Sequence, residues 1–121
     1  MASLTVVSGP NTGDYYPLGT RTVVLGRDEG APIQVTDNRV SRKHLQIRHE
    51  QANYIALDLQ SANGSYVNGR KITGDCILTD GDEIHIGDSK ISFSLTDFKD
   101  KQSAFEHWKK GGEKRKVTIQ E

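Results

Sequence analysis

The amino-acid sequence predicts an all-β domain, an antiparallel sandwich or barrel, with a short helix after it. From residue 3 to residue 96, apolar residues occur in short runs that often alternate with polar ones, as in half-buried strands. Turn-forming residues separate these runs roughly every 8–12 positions, the spacing typical of small sandwiches and barrels. The region contains no apolar stripe long enough for a helix. We therefore expect one domain at residues 1–96 and an extension at 97–121.

Four strands are predicted in the first half of the chain. Residues 4–7 and 22–25 are runs of apolar and β-branched side chains, and the second run ends at Gly26. In 44–48 and 55–59 the large apolar side chains recur at every second position, so that one face of each strand is apolar. The polar and glycine-containing stretches between the four runs predict loops.

Two Asn-Gly steps, Asn63-Gly64 and Asn68-Gly69, enclose a short predicted strand at 65–67. Asn-Gly strongly favours a tight turn because both residues tolerate a positive φ angle. Three further strands are predicted at 76–78, 84–86 and 91–95, and turns rich in aspartate and glycine separate them.

Residues 97–121 have a different pattern, which predicts a short helix. Ser103 and Glu106 fit a capping box at its start, and Gly111 fits a stop at its end. Its aromatic stripe consists of Phe98, Phe105 and Trp108. We expect this stripe to pack against the sandwich, with docking of a partner as the alternative. The polar residues 112–121 are expected to form a mobile tail.

The charge balance excludes several classes of function. The 121 residues include 16 Lys and Arg against 16 Asp and Glu, a net charge of zero at pH 7. Proteins that bind nucleic acid or anionic membranes usually carry a basic excess, so we expect neither partner. The one cysteine, Cys76, cannot form an internal disulfide, and neither a signal peptide nor a membrane span is predicted. These features indicate a cytoplasmic protein.

No residue pattern favours catalysis, a cofactor or a metal. The nucleophile motif G-x-S-x-G is absent, and the glycine-containing stretch 9–13 lacks the lysine of a phosphate loop. His44 and His49 are five positions apart, on opposite faces of one strand, which disfavours a zinc site. We therefore predict a non-enzymatic protein with no cofactor and no metal.

Polar residues suited to anion binding lie at the ends of predicted strands. Gly26-Arg27 closes one strand, residues 41–44 precede another, and residues 61–65 connect two more. Within 21–48, the six basic residues Arg21, Arg27, Arg39, Arg42, Lys43 and Arg48 outnumber the three acidic residues Asp28, Glu29 and Asp37. Guanidinium groups match phosphate oxygens, hydroxyls add donors, and loops at one end of a sandwich bring such groups together.

Taken together, these fragments resemble the forkhead-associated (FHA) family. They are G-R at 26–27, S-R-K-H at 41–44, L-D-L-Q-S-A-N-G-S-Y-V-N-G at 57–69 and D-G-D-E-I-H-I-G at 80–87. The fragments occur in the family's order and at compatible spacings. The resemblance covers residues 3–96, most of the chain.

The resemblance implies a sandwich of two twisted antiparallel sheets whose apical loops bind phosphothreonine in a protein or peptide of a Ser/Thr kinase pathway. It implies that Arg27 binds the phosphate, that Ser41 donates its hydroxyl to it, and that Arg42 adds another contact. Asn63 would bind the peptide main chain, and Arg39 would contact residues C-terminal to the phosphothreonine. The residues expected to support the site are Gly26, His44, Gly64 and Ser65.

Two positions depart from the family pattern, because Ala62 and Ser65 stand where many members have threonine. Neither departure alters Arg27, Ser41 or Asn63, so we expect peptide binding to be retained.

Two other hypotheses remain open at this point. The alternative to phosphopeptide binding is a phosphate-independent scaffold or a homo-oligomerising sandwich. The second is self-regulation, in which the chain's own Thr12 or Thr118 is phosphorylated and occupies a loop site.

Overall fold

Two β-sheets and one helix form the fold in the computed structural model, which describes residues 1–119. The six-stranded sheet contains β1 (Ser3–Ser8), β2 (Tyr15–Pro17), β7 (Ser65–Val67), β8 (Arg70–Lys71), β10 (Glu83–Ile86) and β11 (Ser89–Ser94). The five-stranded sheet contains β3 (Val23–Gly26), β4 (Ile33–Gln34), β5 (Leu45–Glu50), β6 (Asn53–Asp58) and β9 (Cys76–Leu78). Helix α1 (Lys101–Ile119) follows the last strand.

The strand order confirms the predicted sandwich. The six-stranded sheet has the order β2-β1-β11-β10-β7-β8, and the five-stranded sheet has the order β4-β3-β5-β6-β9. Among the described residues every strand pair is antiparallel except β3–β4, which is parallel. The first long strand, β1, pairs with the last, β11.

Large side chains from both sheets meet in one core. Leu4, Ile84 and Phe93 of the six-stranded sheet are fully buried, as are Leu25 and Leu45 of the five-stranded sheet. Burial of a side chain of this size stabilises the fold by about 1.5–3 kcal/mol. The core therefore holds the strand ends, and the loops that begin there, in fixed relative positions.

The side of strand β6 that faces the main core is not the one predicted from the large apolar residues at 55, 57 and 59. Tyr54 and Ala56 belong to the main core cluster, whereas Ile55 is buried outside that cluster and Leu57 and Leu59 are only partly buried. The register explains this, because Ala56 lies opposite the buried Ile47 of β5 and directly opposed residues share a face. The Tyr54 ring packs on Phe93, with ring centroids 5.7 Å apart.

The sequence does not predict β2, β4 or β8. Strands β4 and β8 have two residues each, too few for an alternation to be seen, and β2 is a three-residue strand that ends in a proline. The second Asn-Gly step does form the expected tight turn, since Asn68 and Gly69 have φ angles of 53° and 83° between β7 and β8.

Helix α1 begins earlier and ends later than predicted. Asp100 rather than Ser103 caps it, because an Asp100 carboxylate oxygen accepts a hydrogen bond from the Ser103 amide at 2.9 Å. The predicted stop at Gly111 is wrong, since a glycine inside a helix costs only about 1 kcal/mol and the helix continues to Ile119. Residues 112–119 of the predicted tail are thus helical, and residues 120–121 lie outside the described part.

The segment before α1 and the first turns of the helix pack against the sandwich, as expected for the aromatic stripe. The Tyr15 hydroxyl accepts a hydrogen bond from the Phe98 amide at 2.6 Å, and the two rings meet edge to face. Ala104 is buried, and Trp108 lines a small cavity together with Phe93. Within residues 1–119, no helix is both long enough and apolar enough to span a membrane.

Candidate binding site

Three loops meet at one end of the five-stranded sheet. They connect β3 to β4 (27–32), β4 to β5 (35–44) and β6 to β7 (59–64), and we call them the site loops. Because β5 is antiparallel to both β3 and β6, the end of β3, the start of β5 and the end of β6 lie side by side. The structure places every residue that the sequence assigned to the site on these loops or at the adjoining strand ends.

Gly26 allows the β3–β4 and β4–β5 loops to approach each other closely. A Cβ atom at this position would lie 1.9 Å from the carbonyl oxygen of Arg42, far inside van der Waals contact. The Arg27 amide donates to the Ser41 carbonyl at 3.0 Å, and the Asp28 amide donates to the Arg42 carbonyl at 3.3 Å. A residue without a side chain is needed for this contact, so Gly26 sets the separation of the two loops.

The guanidinium of Arg27 is held at one nitrogen. Its Nε donates to the Val40 carbonyl oxygen at 3.0 Å, the only side-chain hydrogen bond that this guanidinium makes with the described residues. Its two terminal nitrogens can therefore donate to an oxyanion. An open cavity of about 440 Å³ beside it is lined by Arg27, Asp28, Glu29, Gln34, Thr36, Asn38 and Arg42.

Ser41 and Asn63 join two site loops and each keeps a polar group for a ligand. The Ser41 Oγ accepts a hydrogen bond from the Ala62 amide at 3.0 Å, which leaves its hydroxyl hydrogen to be donated. The Asn63 Nδ2 donates to the Arg39 carbonyl at 2.8 Å, which leaves Oδ1 as an acceptor.

His44 lies fully buried beneath these two loops. Its Nδ1 accepts a hydrogen bond from the Ser41 amide at 3.0 Å, and its Nε2 lies 2.8 Å from the Gly64 carbonyl oxygen. Because an amide donates and a carbonyl accepts, the imidazole carries its hydrogen on Nε2 and is neutral. His44 therefore connects the backbones that carry Ser41 and Asn63.

Sequence reasoning misses Asp58, which organises the β6–β7 loop. Its carboxylate accepts hydrogen bonds from the Ser61 hydroxyl at 2.6 Å, the Ser61 amide at 3.0 Å and the Ser65 hydroxyl at 2.5 Å. Burial alone would raise the pKa of Asp58, but these donors outweigh burial and lower it. The signal for this role is the D-x-x-S spacing after a strand, which is typical of a turn closed by an aspartate side chain.

Arg39 lies at the rim of the site and reaches toward the other sheet. One of its terminal nitrogens is 3.3 Å from a carboxylate oxygen of Asp88, in the turn between β10 and β11, and both side chains are exposed. Exposed ion pairs contribute only about 0–1 kcal/mol, so Asp88 leaves Arg39 able to contact a ligand. Arg42 and Lys43 are also exposed and add positive charge to the same loop.

The FHA domain family has a sequence profile that matches residues 23–87, more than half of the chain. The oxoglutarate dehydrogenase inhibitor of Corynebacterium jeikeium is 38% identical over 92 residues. The glycogen accumulation regulator GarA of Mycolicibacterium smegmatis is 37% identical over 92 residues. Both alignments cover 76% of this chain, but only 63% and 58% of these relatives, so the chain spans less than two thirds of their length.

Solved structures agree with the family match. One, described as an analysis of phosphothreonine-dependent FHA domain interactions, has a TM-score of 0.71 at 31% identity and covers 80% of this chain and 98% of its own. EmbR of Mycobacterium tuberculosis, in complex with a low-affinity phosphopeptide, has a TM-score of 0.72 at 32% identity, over 80% of this chain and 25% of EmbR. The matched profile, which includes every residue assigned to the site, establishes that this chain belongs to the FHA domain family.

Proposed function

We propose that the site loops bind phosphothreonine in a partner protein or peptide, and that the chain acts as an interaction module in a Ser/Thr kinase pathway. One observation carries this proposal, namely that the Arg27 guanidinium and the Ser41 hydroxyl both retain donors and are fixed to the same backbone segment. The Arg27 amide binds the Ser41 carbonyl and its Nε binds the Val40 carbonyl, each at 3.0 Å. A charged fork beside a neutral hydroxyl suits a phosphate that carries nearly two negative charges.

Each predicted residue then has a distinct role. Arg27 and Ser41 bind the phosphate, and Arg42, which lines the same open cavity as Arg27, adds a second cation. Asn63 Oδ1 accepts a hydrogen bond from a peptide amide, and Arg39 contacts a residue C-terminal to the phosphothreonine. The supporting residues Gly26, His44, Gly64 and Ser65 fix the loop spacing through the contacts described above.

The similar proteins support a regulatory role. Two of them are named as an inhibitor of oxoglutarate dehydrogenase and as a regulator of glycogen accumulation. By extension, we assign this chain a regulatory role exerted by binding a phosphorylated partner, without a catalytic step of its own. Cys76 is a free thiol, which suits the reducing cytoplasm as its compartment.

Titration of a phosphothreonine peptide library against the full chain tests the proposal. Phosphoserine and unphosphorylated threonine versions of the best peptide serve as ligand controls. Arg27→Ala removes a charge-assisted contact worth about 2–3 kcal/mol, so affinity should fall roughly 30- to 150-fold. Arg21→Ala is the matched control, because Arg21 is exposed before the opposite end of β3 and should leave affinity unchanged.

Two results would reject this function. One is the absence of binding to any phosphothreonine peptide at high micromolar concentration. The other is equal loss of binding in Arg27→Ala and Arg21→Ala. Equal affinity for phosphorylated and unphosphorylated peptides would instead favour the phosphate-independent scaffold.

A further inference from the structure

We propose that Asp37 is the positioning residue of the site loops, holding the segment 39–41 in the place from which Arg27, Ser41 and Asn63 bind the ligand. This inference rests on the proposed function, and it concerns a residue that itself makes no contact with the phosphate.

Asp37 is a buried carboxylate bridging two loops that belong to different sheets. Its side chain is 4% exposed. One carboxylate oxygen accepts a hydrogen bond from the Arg39 amide at 2.9 Å. The other accepts from the Asp88 amide and from the Ser89 hydroxyl, each at 2.8 Å. Because carboxylates are rarely buried unless such donors compensate, this arrangement indicates a specific structural task.

The segment 39–41, which Asp37 fixes, carries two backbone carbonyl groups that accept hydrogen bonds from ligand-binding side chains. The Asp37 carbonyl itself accepts from the Val40 amide at 3.0 Å, which closes the turn. The Arg39 carbonyl accepts from Asn63 Nδ2 at 2.8 Å, and the Val40 carbonyl accepts from Arg27 Nε at 3.0 Å. A displacement of residues 39–40 therefore moves the Arg27 and Asn63 side chains at the same time, and moves Ser41 with the chain.

The turn between β10 and β11 forms the fixed side of this arrangement. Gly87 in that turn has a φ of 56°, and a Cβ atom there would lie 3.0 Å from a carboxylate oxygen of Asp37 and 2.9 Å from the Val40 side chain. Ser89, the next donor, is the first residue of β11 and is itself fully buried. Asp37 thus ties the β4–β5 loop to the turn between β10 and β11, two central strands of the six-stranded sheet.

Asp37→Asn tests the inference because it keeps the shape of the side chain and removes one acceptor. Asparagine has one acceptor oxygen and one donor nitrogen, so either the Arg39 amide or the Asp88 and Ser89 donors lose their partner. Asp82→Asn is the matched control. Asp82 is also a buried aspartate, accepts hydrogen bonds from Thr79 and Asn68, and lies just before β10, away from the site loops.

The primary measurement is phosphothreonine peptide affinity at a temperature where circular dichroism shows both variants to be folded. Asp37→Asn should weaken binding roughly 10-fold or more, whereas Asp82→Asn should stay within about twofold of the wild type. In a double-mutant cycle, the loss caused by Asp37→Asn should shrink in the Arg27→Ala background, because Asp37 acts through Arg27. Equal losses in the two Asp→Asn variants, or no loss in Asp37→Asn, would overturn the inference.

A second measurement separates failure of this inference from failure of the proposed function. In the free protein, NMR signals of the Arg27 Nε–H and the Asn63 side-chain amide report the two bonds to residues 39 and 40. Asp37→Asn should shift both signals and Asp82→Asn neither, whether or not any phosphopeptide binds. Unshifted signals in Asp37→Asn would refute the positioning role, while a wild-type protein that binds no phosphothreonine would refute the proposed function alone.

Discussion

Gly26→Ala is the perturbation whose effect follows most directly from the structure. The new Cβ atom would lie 1.9 Å from the Arg42 carbonyl oxygen, 2.7 Å from the Arg42 carbonyl carbon and 3.2 Å from the Lys43 Cα, all backbone atoms. Ordinary van der Waals contact begins at 3.4 Å, so the Arg42 carbonyl must retreat by about 1.5 Å. No rotation of a side chain can relieve this contact, and the β4–β5 loop must therefore move.

The expected loss of stability has two parts. Overpacking in a well-packed region costs about 1–3 kcal/mol, and the retreat also breaks the bond from the Asp28 amide to the Arg42 carbonyl, worth about 1 kcal/mol. We expect the free energy of unfolding to fall by about 3 kcal/mol, which corresponds to a drop of roughly 12 °C in Tm for a chain of this length. Urea titration and thermal unfolding followed by circular dichroism measure both quantities.

Gly30→Ala is the matched control for this prediction. Gly30 is in the same β3–β4 loop, has no positive φ angle, and its nearest neighbour to a Cβ atom would be 3.9 Å away. This substitution should change the free energy of unfolding by no more than about 0.5–1 kcal/mol and is expected to be neutral or stabilising. If Gly26→Ala were as stable as Gly30→Ala, the close approach of the two site loops would be refuted.

Three further outcomes are expected. Tyr54→Phe removes the 2.6 Å hydrogen bond from the Tyr54 hydroxyl to a backbone carbonyl and should lower the free energy of unfolding in urea by about 1 kcal/mol, with peptide affinity unchanged. His44→Phe leaves the Ser41 amide and the Gly64 carbonyl unpaired and should lower it by about 3 kcal/mol; an equally stable variant would contradict the bridging role of His44. Burial alone would raise the pKa of Asp37, but the hydrogen bonds that its carboxylate accepts outweigh burial and lower the pKa below the ordinary value of about 3.9. The ionised carboxylate therefore stabilises the fold above that pH, and this stabilisation is lost as pH falls through the folded-state pKa. The difference in free energy of unfolding between wild type and Asp37→Asn should therefore shrink below about pH 4, and a pH-independent difference would refute this.

The position of the candidate site on the fold could be predicted because its residues lie where strands end. Gly26, Ser41 and Asn63 each follow or precede an apolar run, and strands of alternating direction bring such ends together. Their residue types also suit an anion, so placement and chemistry point to the same loops.

The role of Asp37 could not be predicted in the same way. Asp37 accepts a hydrogen bond from the Asp88 amide, 51 positions away in the sequence. The two residues come together only because one sheet packs on the other. The core-facing side of β6 could not be predicted for a related reason. Ile55 and Leu57 are larger than Ala56, but the register with β5 decides which residues join the main core cluster. The end of α1 was misjudged because a glycine is a weak stop signal within a helix.

The pairing of β1 with β11 has a consequence for how such a domain combines with other sequences. Ser3 lies opposite Ser94, and β11 starts at Ser89, which binds Asp37 beside the site, so that its other end lies about 17 Å away. The start of β1 and the end of β11 thus lie next to each other, at the end of the sandwich opposite the site loops. Such a domain can be inserted into a host protein, or circularly permuted by joining these two ends, because both junctions lie away from the site loops.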